Sequence, residues 1–220
     1  MSSDDLVQAI GQAIGALEPV YLGKAAESDL YEASLLVLCI EAAQAAGGTA
    51  LLTQDGLTPA PALRFRTQPG NLWSGPFTYV LVSFPALQKR LEIHLGVYMM
   101  AATSKVAHEC DVAIIDHQEA ERSRQAGVYP RSRGLVAAIE AKDYKGSPPL
   151  GVGRGFLGLA HELGEKKCSL VFPGRSSTNL GALIAKRASE AYAELWPGTE
   201  AAERLRSRLD QAIRNWKASL

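Results

Sequence analysis

Glu109-Cys-Asp-Val-Ala-Ile-Ile115 and Leu135-Val-Ala-Ala-Ile-Glu-Ala-Lys142 are the two stretches on which the reading of this chain turns. Each is a short apolar run with acidic residues at one end, and the second closes on a lysine. Side chains along a strand alternate between faces. Glu109 and Asp111 therefore share a face of one strand. Glu140 and Lys142 share a face of the other, with Ala141 turned away. A hairpin-like connection favours consecutive strands as neighbours, which lets all four charged side chains converge. A folded chain does not set carboxylates beside a core without compensating their charge.

Outward from these strands, the apolar pattern predicts a mixed α/β chain. Leu6, Val7, Ile10, Ile14 and Leu17 recur at helical spacing over residues 3–17, with Asp4 and Asp5 in the first turn and Glu18-Pro19 as the stop. Ser28 as a cap and Gly47-Gly48 as a stop bound a longer, mostly buried helix over 28–46, in which Glu32 and Glu41 stand out. Residues 49–106 read as β-rich, with strands over 49–53, 62–67, 79–84 and 91–99. Leu63-Arg-Phe-Arg66 alternates like a half-exposed strand, and Glu92 and His94 alternate with Leu91, Ile93 and Leu95 in another. The two opening strands extend over about 109–116 and 135–143, joined by a polar loop, 117–134. A helix over 153–166, a strand over 168–172 and helices over 179–195 and 200–217 complete the chain, the last capped by Thr199.

The bulk numbers exclude several classes. With 220 residues, 47% of them hydrophobic, the chain can bury a sizeable core. Its 23 basic and 23 acidic residues cancel, which argues against coating nucleic acid through bulk charge but leaves room for a local basic surface. Cys39, Cys110 and Cys168 are odd in number and far apart, so they read as core thiols in a reducing compartment rather than a disulfide framework or zinc knuckle. The start, Met-Ser-Ser-Asp-Asp-Leu, has no signal-peptide pattern, and the longest apolar run, Leu35 to Ile40, is too short to span a bilayer. These features predict a soluble, cytoplasmic protein with no membrane contact. No Gly-x-Ser-x-Gly, Walker loop or paired zinc motif occurs.

Carboxylates and an ammonium at adjacent strand ends suit a hard divalent cation with oxygen ligands from Asp111 and Glu140. Such a cation polarises a scissile phosphate, acidifies a water and stabilises a leaving oxygen. A lysine beside it can orient or help deprotonate that water and neutralise charge on the phosphorane. The pattern thus points to metal-dependent hydrolysis of phosphodiesters. The competing reading is a solvated strand end with a weak surface ion pair, because Glu-x-Lys is a common triplet and recurs here as Glu165-Lys166-Lys167 in a turn. The apolar run before Glu140 and the acid-led strand upstream set the first copy apart.

From the helix at 28–46 to the strand at 168–172, this arrangement resembles the PD-(D/E)XK, or restriction-endonuclease-like, nuclease superfamily. Members share a helix, then strands carrying an aspartate and a Glu-x-Lys, then a helix and another strand. The resemblance implies a mixed central sheet flanked by helices, within a single domain over 1–220. Residues 28–175 would form the nuclease core, 49–90 an extra β-rich insertion, and 176–220 a C-terminal helical extension. It implies Mg²⁺ or Mn²⁺ as cofactor and Asp111, Glu140 and Lys142 as catalytic residues. Asp111, Glu140 and the Ala141 backbone carbonyl would bind metal, with Glu32 and Glu109 as further candidate metal ligands. The implied partner is nucleic acid, DNA before RNA, with a homodimer or larger complex left open. Two departures stand out: Cys110 precedes the aspartate where a proline is usual, and the β-rich insertion is long. A non-catalytic, nucleic-acid-binding or regulatory subunit with a nuclease-like fold is the alternative.

Arg122, Arg124, Arg131, Arg133, Lys142 and Lys145 crowd residues 122–145, and a basic loop beside the site could grip a nucleic-acid backbone. Arg131, Arg133, Lys145, Arg154 and His108 are the candidate contacts; a solvated loop is the plain alternative. Gly153-Arg-Gly-Phe-Leu-Gly158 matches a dinucleotide fingerprint in letters only, since no strand runs directly into it. Its glycines are expected instead to let a helix approach the sheet closely.

Overall fold

The computed structural model describes residues 2–185 and 187–219. The chain runs α1 (Ser3–Ile14), α2 (Pro19–Leu22), α3 (Glu27–Ala45), β1 (Thr49–Thr53), β2 (Tyr79–Phe84), β3 (Lys89–Met100) and β4 (Ala107–Asp116). It continues through α4 (His117–Ala126), β5 (Leu135–Ala141), α5 (Leu150–Leu163), β6 (Cys168–Val171), α6 (Thr178–Ile184), β7 (Glu190–Tyr192) and α7 (Glu200–Ala218). The strands form one sheet in the order β1-β2-β3-β4-β5-β6-β7. Neighbours from β1 to β5 are antiparallel, and β5-β6 and β6-β7 are parallel. This is a mixed α/β fold with helices on both faces of the sheet. One apolar layer packs α1, α3 and α7 against it, and a second packs α5 and α6. No helix among the described residues is long and apolar enough to cross a membrane.

The parallel β5-α5-β6 crossover follows from the sequence. Leu135–Ile139 is apolar at every position because both faces of β5 are covered. Gly153 then lets α5 lie close to α6, since a Cβ there would come within 2.4 Å of the Leu180 side chain. Gly155 and Gly158 have nothing within 4 Å of such a Cβ, so the close approach expected of the glycine segment belongs to Gly153 alone and is made to a helix.

Several expectations need correcting. Residues 62–67 form no strand; only Leu63 makes an isolated bridge, to Leu17. The segment 54–78 instead arches over the sheet, with the Arg66 guanidinium 4.5 Å from the Phe77 ring centre. The polar loop 117–134 contains α4, capped by the Asp116 carboxylate on the Gln118 N–H. The helix at 28–46 is capped at its start by Asp29, which accepts the Ala26 N–H at 2.6 Å, rather than by Ser28. The helix expected over 179–195 is α6 followed by β7; Tyr192 pairs with Val171 at the edge of the sheet. Lys186 lies outside the described residues. The C-terminal segment is therefore part of the sheet and of its cover, because Leu205, Leu209 and Ile213 of α7 are buried in the same layer as α3. All three cysteines are buried and free, as expected of core thiols.

Candidate active site

Asp111 stands where the sheet opens. β4 and β5 are paired from Ile115↔Leu135 to Val112↔Ile139. Beyond that point β4 continues against β3 alone, and β5 continues against β6. The neighbouring strand bends here too: Gly96 lies between Leu95 and Val97, whose partners are Val112 and Cys110, and its φ of +56° is a left-handed value that favours glycine. The Asp111 carboxylate enters the opening, and its Oδ2 accepts the Ala141 N–H at 2.6 Å.

The last residues of β5 supply the rest of the group. Lys142 Nζ is 2.8 Å from Glu140 Oε1 and 3.6 Å from Asp111 Oδ2. Those two oxygens are thus no more than about 6.4 Å apart, the sum of the two distances. Glu32 comes from α3 and Glu109 from the outer part of β4, both near enough for the charges of Asp111 and Lys142 to act on them. The cluster therefore holds four carboxylates. Among the described residues, Lys142 is the only cation in ion-pair contact with any of them.

The imbalance appears in the proton affinities. Burial, then the negative charge of Asp111, pushes Glu32 up to about 9. Glu140 rises for the same two reasons in the same order, and so does Glu109. Burial raises Asp111 as well, against the pull of Lys142 and the Ala141 N–H. Burial works to lower Lys142, but the charges of Asp111 and Glu140 outweigh it and hold the ammonium protonated. Such a group gains from any further cation that enters, and oxygen-rich sites of this kind fit Mg²⁺ or Mn²⁺.

The proposed nucleic-acid contacts scatter. Lys145 reaches Glu27 at the start of α3, at 3.3 Å. Arg154 is exposed near the start of α5. His108 pairs with Met99 on the outer part of β4, and its Nε2 is buried without a hydrogen-bond partner among the described residues. Arg131 and Arg133 precede β5, so about 16 Å of strand, Leu135 to Glu140, separates them from the carboxylates. The structure does not bring these two arginines to the acid cluster. Arg131 is instead bound to Glu119 of α4.

A second charged group lies on β3, where the alternation predicts half exposure. Glu92 and His94 are in fact buried, because α4 and the arch of residues 54–78 cover this face. Glu92 receives His94 Nε2 at 2.7 Å, His117 Nδ1 at 2.6 Å and both terminal nitrogens of Arg124. Glu92, His117 and Glu121 bring one ligand atom each within 4.8 Å of one another. The cation place among them is nevertheless taken, because Arg124 Nη1 bonds both Glu92, at 2.9 Å, and Glu121, at 2.5 Å. Burial opposes ionisation of Glu92, but its hydrogen bonds from His117, His94 and Arg124 prevail and hold the carboxyl well below its usual range. The sequence signal for this group was the Glu92-x-His94 pair; its partners come from α4, a helix that the polar composition of 117–126 concealed.

No family model, no curated protein and no solved structure matched this chain.

Proposed function

We propose that this protein is a metal-dependent nuclease that hydrolyses phosphodiester bonds, DNA in preference to RNA, in the cytoplasm. The observation that carries the reading is the charge imbalance at the open end of β4 and β5, where, among the described residues, four carboxylates share one ammonium. The element order also supports it: α3, then β4 with Asp111, β5 with Glu140 and Lys142 just beyond its end, α5, and β6 parallel to β5 are similar to the order that the resemblance to the PD-(D/E)XK superfamily implies.

In this reading Asp111, Glu140 and the Ala141 carbonyl hold a divalent cation, and Glu32 and Glu109 add negative charge around it. The cation, when bound, supplies charge neutralisation at the phosphate and acidifies a water. The Ala141 N–H keeps Asp111 in place at the mouth of the opening. Lys142, held as an ammonium by its two acids, donates a hydrogen bond to the attacking water or to a phosphoryl oxygen. It offsets the negative charge that grows as the new phosphorus–oxygen bond forms and the old one breaks.

The rival is a non-catalytic, nucleic-acid-binding or regulatory subunit. It draws on one observation: no three of these carboxylates bring ligand atoms within 4.8 Å of one another among the described residues. Cleavage of supercoiled plasmid, single-stranded DNA and RNA with Mg²⁺ or Mn²⁺, for wild type and Lys142→Ala, separates the two. Metal-dependent cutting that the variant loses supports the nuclease and names its substrate. Wild-type protein that binds these nucleic acids and cuts none of them leaves the rival.

A further inference from the structure

At the start of β5, across the strand from the acid cluster, three arginines surround one carboxylate. Glu119 of α4 is buried. Arg131 Nη2 bonds its Oε2 at 2.6 Å, Arg122 Nη2 bonds its Oε1 at 2.5 Å, and Arg133 Nε stands 3.9 Å away. Burial disfavours the Glu119 charge, yet the hydrogen bonds from Arg131 and Arg122 pull the carboxyl down to about 2. One negative charge thus faces three positive ones.

Among the described residues the excess is not cancelled nearby. These residues line a concavity of about 740 Å³, together with Arg90 and Asp116. Asp116 is already engaged, as the cap of α4 and as acceptor of the Trp216 indole N–H at 2.9 Å. Lys89 also lines it, but its Nζ donates to the carbonyls of Trp216 and Lys217 and so offsets the negative end of α7. That leaves four guanidiniums against two carboxylates, in a chain whose formal net charge is +0.

The donors are also incompletely used. Arg122 and Arg131 meet Glu119 through Nε and Nη2, and Arg122 Nη2 also reaches the Tyr129 carbonyl at 3.4 Å; Nη1 of each has no partner among the described residues, and the second edge of Arg131 is free. Among the described residues Arg133, 67% exposed, makes no hydrogen bond there, and exposed Arg90 has no ion pair. A guanidinium held rigidly by one carboxylate, with its second edge free, is set to take an oxyanion in the bidentate manner that phosphoryl groups favour. The cavity is larger than a single phosphate needs, so it has room for what the phosphate is attached to.

We infer that this concavity is a binding site for a phosphoryl group, separate from the acid cluster. The site stands on its own charge and geometry, and it holds whether or not the acid cluster cuts phosphodiesters. The phosphoryl group comes either from a free nucleotide or from a nucleic-acid backbone.

Titration calorimetry in EDTA, with no cleavage read, tests it. The probes are inorganic pyrophosphate, a nucleoside diphosphate and a short DNA duplex, against wild type and Arg90→Ala/Arg133→Ala. Both arginines are exposed, so the double variant is expected to fold; should circular dichroism show otherwise, Arg133→Ala alone carries the test. Saturable binding is expected, weakened about tenfold or more in the arginine variant, as for loss of a charge-assisted hydrogen bond. Tighter binding of the small phosphates assigns a free nucleotide. Tighter binding of the duplex, falling steeply with salt, assigns a backbone. Absence of saturable binding for every probe, or binding that the arginine variant leaves intact, overturns the inference.

Discussion

The two charged groups of the sheet solve the same problem in opposite ways. At Glu92 one buried carboxylate meets His94, His117 and Arg124, and its proton affinity falls. At Asp111 four carboxylates meet, among the described residues, Lys142 alone, and those of Glu32, Glu109, Asp111 and Glu140 all rise. Glu92 and Asp111 are both buried on central strands, so burial alone does not separate these two. The count of fixed cations does. Glu92 carries its own counter-charge on α4 and ties that helix to β3. The Asp111 group is left short by the fold, and a shortage that a chain maintains at a structural cost is where binding or chemistry is expected. Closeness of ligand atoms alone selects the Glu92 group instead, but Arg124 already bonds two of those carboxylates.

Substitutions should divide along the same line. Lys142→Ala, Asp111→Asn and Glu140→Gln are expected to lower metal-dependent cleavage by about 10²–10⁴-fold, read in a plasmid assay. Neutralising either acid should leave urea stability unchanged or raised at neutral pH, since it relieves repulsion. Asp111→Asn retains an oxygen for the Ala141 N–H. Wild-type cleavage in all three variants would end the nuclease reading.

Glu92→Ala should do the reverse. It leaves Arg124 largely buried without its main partner, which costs about 3–5 kcal/mol, measured from the urea midpoint. A loss under about 1 kcal/mol would mean that the group contributes as little as an exposed surface pair.

Divalent cation should stabilise one group and not the other. Mn²⁺ or Mg²⁺ at a hundredfold excess over its Kd is expected to add about 2.7 kcal/mol, seen as a higher melting temperature. Asp111→Asn should abolish the gain. A gain that survives Asp111→Asn but disappears in His117→Ala would move the metal to the β3–α4 group.

The two groups should also differ in how stability depends on pH without metal. Glu32 rises from 4.5 to about 9, so its folded form binds the proton more tightly than the unfolded chain does. Its contribution is complete below 4.5 and disappears as pH climbs towards 9. Glu92 is shifted downward, so its contribution is complete above 4.5 and is lost as pH falls below that value. Thermal melts across this range should show both limbs. Glu32→Gln should flatten the alkaline one; an unchanged limb would place its cause elsewhere.

The strands of the candidate site were readable from their apolar runs, and the convergence of Asp111, Glu140 and Lys142 from period-two alternation. α3, β1, β2 and α7 were also legible, because their apolar spacing lies within one element and its ends carry turn residues. Where the reading failed, short-range pattern carried two meanings. Arg64 and Arg66 alternate with Leu63 and Phe65 as in a strand, yet Arg66 is held by stacking on Phe77 and by the Asn71 carbonyl at 2.6 Å. Leu180, Ile184, Tyr192 and Leu195 fit a helical period, yet β6 offered an open edge and Tyr192 took it. The basic residues of 122–145 looked like one loop beside the acids, but α4 turns Arg122 and Arg131 onto Glu119 at the far end of β5.

The sequence by itself determined which residues form the central strands and that acids and a lysine end two of them, because alternation and apolar runs act between near neighbours in the chain. Only the tertiary structure decided which acids lack counter-charge. Arg124 reaches Glu92 across 32 residues, whereas Asp111 finds its single ammonium across the opening between β4 and β5. Charge compensation depends on distance in space and on burial, and neither is written in the local order of residues.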